Sequence, residues 1–86
     1  MLFSIFENNI VNLIDSLNNG ADIHYKNEYP LILACSKGYL NIVIYIVNFC
    51  SPDLDAQNGS ALRNACVYGY FGVVKFLIES GCNINI

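Results

Sequence analysis

The apolar residues of this 86-residue chain recur at helical spacing in two long stretches. In the first stretch, Pro30 stands where a helix can begin, because the first helical N–H group needs no partner there. Gly38 then interrupts the helix. Apolar residues three or four positions apart follow the glycine, at Leu40, Ile42, Val43, Ile46 and Val47. The pattern predicts a helix, a tight glycine turn and a second, more apolar helix.

The same pattern returns 31 residues later. Three features recur at this offset, as the pairs Leu31–Leu62, Cys35–Cys66 and Gly38–Gly69. Because several features recurring at one offset indicate an internal repeat, we interpret the chain as a row of similar helix pairs.

A shorter helix pair is predicted ahead of these two. Its first helix covers residues 2–9, and Phe3 and Phe6 are one turn apart on a face that we expect to point inward. Its second helix has apolar residues at i, i+3, i+4 and i+7, namely Ile10, Leu13, Ile14 and Leu17. Asn19 and Gly20 then supply the glycine signal of a helix C-terminus.

At these positions the chain resembles an ankyrin-repeat protein, whose motif of about 33 residues runs T-P-L-H-x-A, A-x-x-G-H and V-V-x-L-L-L-x-x-G-A-D-V-N. The matching segments are 29–34 and 60–65, then 35–39 and 66–70, then 20–24 and 81–85. The resemblance implies an all-α ankyrin-repeat solenoid of helix-turn-helix units with short β-turn fingers. It divides the chain into an incomplete N-terminal repeat, 1–25, and two repeats, 26–56 and 57–86. The residue usage is similar to that of ankyrin proteins of large amoeba-infecting DNA viruses.

The connections between units carry turn-forming side chains. Asn27 and Asn58 stand where the family has a glycine, and we expect a positive φ at both because asparagine tolerates it well. Asp22 and Asp53 match the loop aspartate of the family, which implies that their carboxylates accept hydrogen bonds from backbone N–H groups.

The threonine and histidine of T-P-L-H, which tie each repeat of the family together by hydrogen bonds, are missing here. Tyr29 and Ile32 replace them in one repeat, and Ser60 and Arg63 in the next. We therefore expect that network to be lost or replaced, and apolar packing to supply a large part of the stability.

Composition excludes several classes of protein. The hydrophobic fraction of 55% is high for a chain of this size, and a stack accounts for it because neighbouring repeats bury each other's faces. No apolar run approaches the roughly 18 residues of a membrane span, and residues 1–6 are too short for a signal-peptide core and are followed by Glu7. We therefore expect an intracellular, cytoplasmic protein (host cytoplasm if viral). A net charge of −3 with four basic residues argues against nucleic acid, whose binding depends on phosphate neutralisation.

No catalytic constellation is visible, so we expect a protein that is not an enzyme and needs no cofactor. His24 is the single histidine and falls on a loop, and no glycine-rich phosphate loop occurs. The four cysteines include no C-x-x-C pair, which argues against a metal site. We expect Cys35 and Cys66 to be small buried thiols, and Cys50 and Cys82, near loop ends, to be more exposed.

The resemblance also implies where a partner would bind, since ankyrin partners usually contact the finger tips and the inner face of the first helices. Carried over to this sequence, that surface consists of Glu28, Ser36, Lys37, Tyr39, Gly59, Arg63, Val67, Tyr68 and Tyr70. The predicted function is a non-enzymatic interaction module for a protein partner, a host protein if the chain is viral. The alternative for each position is an ordinary solvated residue.

A second function stays open: a structural protein that self-associates. Ile44 is apolar where its counterpart in the next repeat is Lys75, and Tyr45 flanks it. These residues are either scattered surface side chains or part of a contact patch. About three repeats are needed for stability, and polar capping units keep stack ends soluble. With two full repeats and one incomplete repeat, the chain buries less apolar surface than a longer stack. A homodimer through apolar stack ends or the Ile44–Tyr45 patch would bury more of it.

Overall fold

The computed structural model describes residues 1–84, which form a row of three helix pairs measuring 36 × 20 × 19 Å. The helices are α1 Leu2–Phe6, α2 Ile10–Asn18, α3 Tyr25–Lys37, α4 Leu40–Cys50, α5 Ala56–Val67 and α6 Phe71–Glu79. No strand occurs among the described residues. The predicted all-α repeat solenoid is confirmed. The end of the third repeat motif, Asn85 and Ile86, lies outside the described residues, and the division into repeats at 25/26 and 56/57 stays a prediction.

The turn inside each helix pair is closed by the same backbone hydrogen bond. The N–H of Tyr39 donates to the carbonyl of Ala34 at 3.1 Å, and the N–H of Tyr70 donates to that of Ala65 at 2.9 Å. Asn9 makes the corresponding bond in the first pair, at 2.8 Å. The repeat is therefore 30 residues long from Asn9 to Tyr39 and 31 from Tyr39 to Tyr70.

A left-handed residue precedes each of these bonds. The predicted turn glycines Gly38 and Gly69 have φ values of 72° and 77°, and Asn8 takes the same place in the first pair with φ 55°. Asparagine is one of the few side chains that enter this region routinely. Asn8 lies 30 residues before Gly38, so the 31-residue repeat of the sequence does not point to it.

The fingers contain three left-handed residues in a row. In the first finger, Lys26, Asn27 and Glu28 have φ values of 49°, 54° and 70°. The second finger repeats this geometry at residues 57–59. The positive φ predicted for Asn27 and Asn58 is confirmed.

The loop aspartates act as expected. The Asp22 carboxylate accepts a hydrogen bond from the N–H of His24 at 2.9 Å. The Asp53 carboxylate accepts one from the N–H of Asp55 at 3.0 Å. Both are the short-range turns that aspartate favours.

The core runs along the stack and draws on every helix pair. Its largest fully buried side chains include Ile5, Leu13, Leu31, Ile42, Ile46 and Leu77. The prediction for Phe3 and Phe6 is wrong, because these rings are 72% and 48% exposed. The two residues do share a face of α1, but Ser4 and Ile5 occupy the opposite face and are the buried ones.

The cysteine prediction is right for Cys35 and wrong for Cys66 and Cys82, and Cys50 is half-buried. All four are free thiols, and Cys35 is fully buried, but Cys66 is exposed and Cys82 is 6% exposed. The Cys82 thiol reaches back to the second finger, 3.6 Å from Asp55 Oδ1. Burial raises the pKa of Cys35 to about 12, and burial followed by the Asp55 charge raises the pKa of Cys82 to about 11. Cys66 matches Cys35 in position, but none of the helix pairs described within residues 1–84 covers it.

Candidate interaction surface

The turns of successive helix pairs lie side by side along one edge of the stack. At the first junction, the Lys37 ammonium lies 5.2 Å from the centroid of the Phe6 ring. The Tyr39 hydroxyl donates a hydrogen bond to the Phe6 carbonyl at 3.3 Å. Both contacts join the second helix pair to the first.

The same edge continues across the second junction. The Tyr70 ring lies directly over Gly38, so close that a Cβ atom on the glycine would be 2.5 Å from the ring. The Tyr68 ring is next to it, with centroids 6.3 Å apart and an interplanar angle of 37°. We call the resulting row the turn strip, and it consists of Phe6, Lys37, Tyr39, Tyr68 and Tyr70.

The turn strip is open to solvent. Tyr68 is 61% exposed, Phe6 48% and Tyr70 37%, whereas Tyr39 is half-buried. Val67, also predicted as a contact residue, adjoins Tyr68 and is 72% exposed. Tyrosine rings offer a large apolar area together with a polar hydroxyl, and Lys37 adds a cation. Such a surface can bind a partner through aromatic contacts and a few polar ones.

Of the nine predicted contact residues, four belong to the strip and Val67 adjoins it. Phe6 was missed because the family motif places no ring there. The sequence alone does not reveal the turn strip, because its members are far apart along the chain.

Glu28 is a different case, because its side chain is 6% exposed. Its carboxylate accepts a hydrogen bond from the N–H of Asp53, and its other oxygen lies 2.5 Å from His24 Nδ1. The prediction that Glu28 contacts a partner is therefore wrong, because the left-handed finger turns this carboxylate toward the next loop. Gly59, at the matching position of the second finger, is also buried, so the prediction that it contacts a partner is wrong as well.

A second link joins the fingers. The Gln57 side-chain amide donates to the carbonyls of Lys26 and Asn27 at 3.0 and 3.1 Å. Together with the Glu28–Asp53 bond, it connects one finger to the next. These links join neighbouring units in a chain that lacks the threonine and histidine of the family motif.

Ser36 and Arg63 are occupied by local bonds. The Ser36 hydroxyl donates to the Leu33 carbonyl at 2.8 Å. The Arg63 guanidinium donates to the Asn58 carbonyl at 2.8 Å and to the Ser60 hydroxyl at 3.1 Å. Arg63 is exposed but folded onto its own finger. A role for these two residues in partner binding stays a prediction.

The Ile44–Tyr45 patch lies on α4. Ile44 is 36% exposed, and the Tyr45 ring lies 5.2 Å from the ring of Phe49, which is 75% exposed. Self-association through this patch stays a prediction.

Other kinds of site find little support in the part of the chain that the structure describes. Within residues 1–84, no group of three or more histidine, cysteine or acidic side chains is placed to hold a metal ion, and no cleft of ligand size is formed. None of the described helices is long and apolar enough to cross a membrane.

Comparison with known proteins identifies the family. The model for ankyrin repeats matches residues 1–86 in three copies, so the chain belongs to the ankyrin-repeat family. Ankyrin repeats are generally protein–protein interaction modules, and the family is typically non-enzymatic.

Three curated relatives place the chain within this family. Ankyrin repeat protein L675 of Acanthamoeba polyphaga mimivirus is 32% identical over 99% of this chain and 17% of its own length. NF-kappa-B inhibitor alpha of Rattus norvegicus is 32% identical over 71% of this chain and 22% of its own length. Protein fem-1 homolog CG6966 of Drosophila melanogaster is 27% identical over 85% of this chain and 12% of its own length. The chain thus spans less than a quarter of each relative. No solved structure matched.

Proposed function

We propose that this chain binds a protein partner through the turn strip and the adjoining Val67, without catalysing a reaction. The observation that supports this most directly is a row of aromatic rings that crosses all three helix pairs and in which Phe6, Tyr68 and Tyr70 are exposed and Tyr39 is half-buried. Aromatic side chains are enriched among the residues that dominate binding energy at protein interfaces. Ordinary scattered surface residues would not align in this way across two junctions.

The strip is also held rigidly, which favours tight association. Tyr39 is fixed by its bond to the Phe6 carbonyl, and Tyr70 is seated on Gly38. Side chains that are already ordered lose little conformational entropy on binding. Lys37 further favours an acidic group on the partner, placed beside the aromatic contact.

The relatives support a protein partner inside a cell. NF-kappa-B inhibitor alpha, by its name, acts on a protein, and the mimivirus relative has a viral source. The partner in this proposal is a host protein if the chain is viral, met in the host cytoplasm.

The test is capture from an amoebal lysate with variants of the immobilised chain, read by quantitative mass spectrometry. Tyr68→Ala and Lys37→Ala should each reduce the same captured protein by about tenfold or more, as expected for residues that dominate an interface. Lys75→Ala is the matched control, because this exposed lysine on α6 pairs with Glu79 and is not part of the strip, and it should capture as the wild type does. Capture that does not depend on the strip, or no capture at all, contradicts the proposal.

A second candidate is a homodimer through the Ile44–Tyr45 patch on α4, where the half-buried Tyr45 ring lies against the exposed ring of Phe49. Ile44→Lys would then convert a dimer into a monomer in light scattering. An unchanged mass would exclude this patch.

A further inference from the structure

Two asparagines of this chain are followed directly by a glycine, Asn19 by Gly20 and Asn58 by Gly59. Such pairs are chemically labile, because the backbone nitrogen of the glycine can attack the side-chain carbonyl of the asparagine and no Cβ atom obstructs the approach. Both asparagines are exposed to solvent. Sequence and exposure therefore treat the two pairs alike, and only the surrounding backbone distinguishes them.

The first pair lies at the end of α2, where Asn19 is the C-terminal cap. Gly20 is exposed with φ 97°, and a Cβ atom there would meet no described heavy atom within 4 Å beyond its chain neighbours. The Gly20 N–H donates to the Leu17 carbonyl at 3.1 Å, and the Ala21 N–H donates to the Ser16 carbonyl at 3.0 Å. Both bonds belong to the end of the helix, which opens at little cost in free energy. Opening this turn frees the Gly20 nitrogen while the rest of α2 stays folded.

The second pair is held inside the second finger. Its peptide group is bonded on both sides, because the Asn58 carbonyl accepts from the Arg63 guanidinium at 2.8 Å and the Gly59 N–H donates to the Asp55 carbonyl at 3.1 Å. Gly59 is also buried. The Gln57 side-chain amide ties the preceding residue to two carbonyls of the first finger, at 3.0 and 3.1 Å. Rotating this peptide group for the attack therefore breaks several bonds at once.

We propose that the Asn19–Gly20 pair is a site of spontaneous deamidation in the folded protein, and that the second finger protects the Asn58–Gly59 pair. The Gly20 nitrogen bonds to the side-chain carbonyl carbon of Asn19 and gives up its proton, and the side-chain carbon–nitrogen bond breaks with release of ammonia. Water then opens the cyclic imide at either carbonyl and leaves aspartate or isoaspartate at position 19. The net change consumes one water and replaces an amide by a carboxylate, with no oxidant and no cofactor.

The product weakens the connection between the first helix pair and the first finger. A carboxylate at position 19 lies at the C-terminal end of α2, where the helix dipole disfavours a negative charge. Isoaspartate also lengthens the main chain of the turn, so the bonds made by Gly20 and Ala21 lose their spacing. The turn leads directly to Asp22, whose carboxylate accepts the N–H of His24 at 2.9 Å. This inference goes beyond the proposed partner binding, because neither Asn19 nor its turn belongs to the turn strip.

The test is incubation of the folded chain at mildly alkaline pH, followed by peptide mapping with mass spectrometry that separates asparagine, aspartate and isoaspartate. Asn19 should lose its amide at least about tenfold faster than Asn58, the factor expected when one turn must break one or two more hydrogen bonds than the other. In concentrated urea, where neither turn is folded, the two rates should be similar. Asn19→Gln should remove the fast reaction, because glutamine has to close a larger ring.

Gln57→Ala tests the protection of the second pair without changing the charge of the chain. It should accelerate the reaction of Asn58 by about fivefold, the factor for the loss of one hydrogen bond of average strength. The rate at Asn19 is the matched control within the same molecule and should keep its wild-type value. Circular dichroism confirms that the variant is folded. If Gln57→Ala unfolds, Arg63→Ala replaces it, since this change releases the Asn58 carbonyl.

Three outcomes overturn the inference. Asn19 reacting no faster than Asn58 in the folded chain shows that the end of α2 is not the labile site. The same ratio of rates in the folded chain and in urea shows that the tertiary structure does not control the reaction. An Asn58 rate that the folded finger variant leaves unchanged shows that the bonds of the finger do not protect this pair. None of these results bears on capture of a partner by the turn strip, which is measured on freshly prepared protein.

Discussion

The contact between Gly38 and Tyr70 can be measured by comparing two glycines that share a backbone conformation. Gly38 has φ 72° and Gly69 has φ 77°, so alanine at either position meets the same backbone strain. Only at Gly38 does the added methyl group also collide with a ring. The difference between Gly38→Ala and Gly69→Ala therefore isolates the junction between the second and third helix pairs.

The expected losses of stability follow from the backbone strain and from the collision with the ring. Left-handed backbone costs about 1–2 kcal/mol for a residue with a Cβ atom, and Gly69→Ala should lose about that much stability. The new methyl at Gly38 would lie 2.5 to 2.7 Å from three atoms of the Tyr70 ring, one of which is Cγ. Because Cγ is the root of the ring, the whole ring must move, and such overpacking costs about 1–3 kcal/mol. Gly38→Ala should therefore lose about 2–5 kcal/mol in total.

The assay is urea unfolding followed by far-ultraviolet circular dichroism, with each variant compared at unchanged denaturant slope. The same pair is also measured in a Tyr70→Ala background. Removing the ring should bring the cost of Gly38→Ala down to that of Gly69→Ala, as a double-mutant cycle requires for a direct contact. Equal costs of the two glycine variants in the wild type would refute the reasoning, as would an excess cost that survives removal of the ring.

Three further predictions follow from the finger, the thiols and the first turn. Glu28→Ala should lower the free energy of unfolding in urea by about 1–3 kcal/mol, because the N–H of Asp53 loses its hydrogen-bond acceptor. Glu79→Ala, which removes one partner of an exposed ion pair, should change the free energy of unfolding little. Equal losses in the two variants would contradict the prediction. Native-state thiol labelling read by mass spectrometry should modify Cys66 well before Cys35, because burial raises the pKa of Cys35 to about 12 and keeps its thiol protonated. Above the ordinary pKa of 9.0 this thiol ionises in the unfolded chain first, so the free energy of unfolding should fall as pH rises. The fall should be less steep in Cys35→Ala, and identical pH slopes in the two proteins would exclude this cause. Asn8→Gly should leave the unfolding midpoint unchanged or raised, because glycine adopts this left-handed φ without strain; a marked loss would mean that the asparagine side chain is needed.

The chemistry of single residues and the helical period determined a large part of this fold from sequence. The helix pairs, the turns at Gly38 and Gly69, the loop aspartates and the left-handed Asn27 and Asn58 all follow from local rules. Each of these features depends on side chains within a few positions, so a repeat detected in the sequence transfers them correctly. Asn8 obeys the same rule and could have been found by allowing a 30-residue offset.

Burial and contact between units were decided by the tertiary structure alone. Cys35 and Cys66 have the same local pattern, yet one is buried and the other exposed, because among residues 1–84 the second helix pair packs between the other two. Glu28 looks like a surface residue in sequence and is buried because the next loop donates an N–H group to it. The turn strip likewise joins side chains separated by about thirty residues. A periodic sequence specifies each unit, but only stacking decides which of its faces meets another unit and which meets solvent.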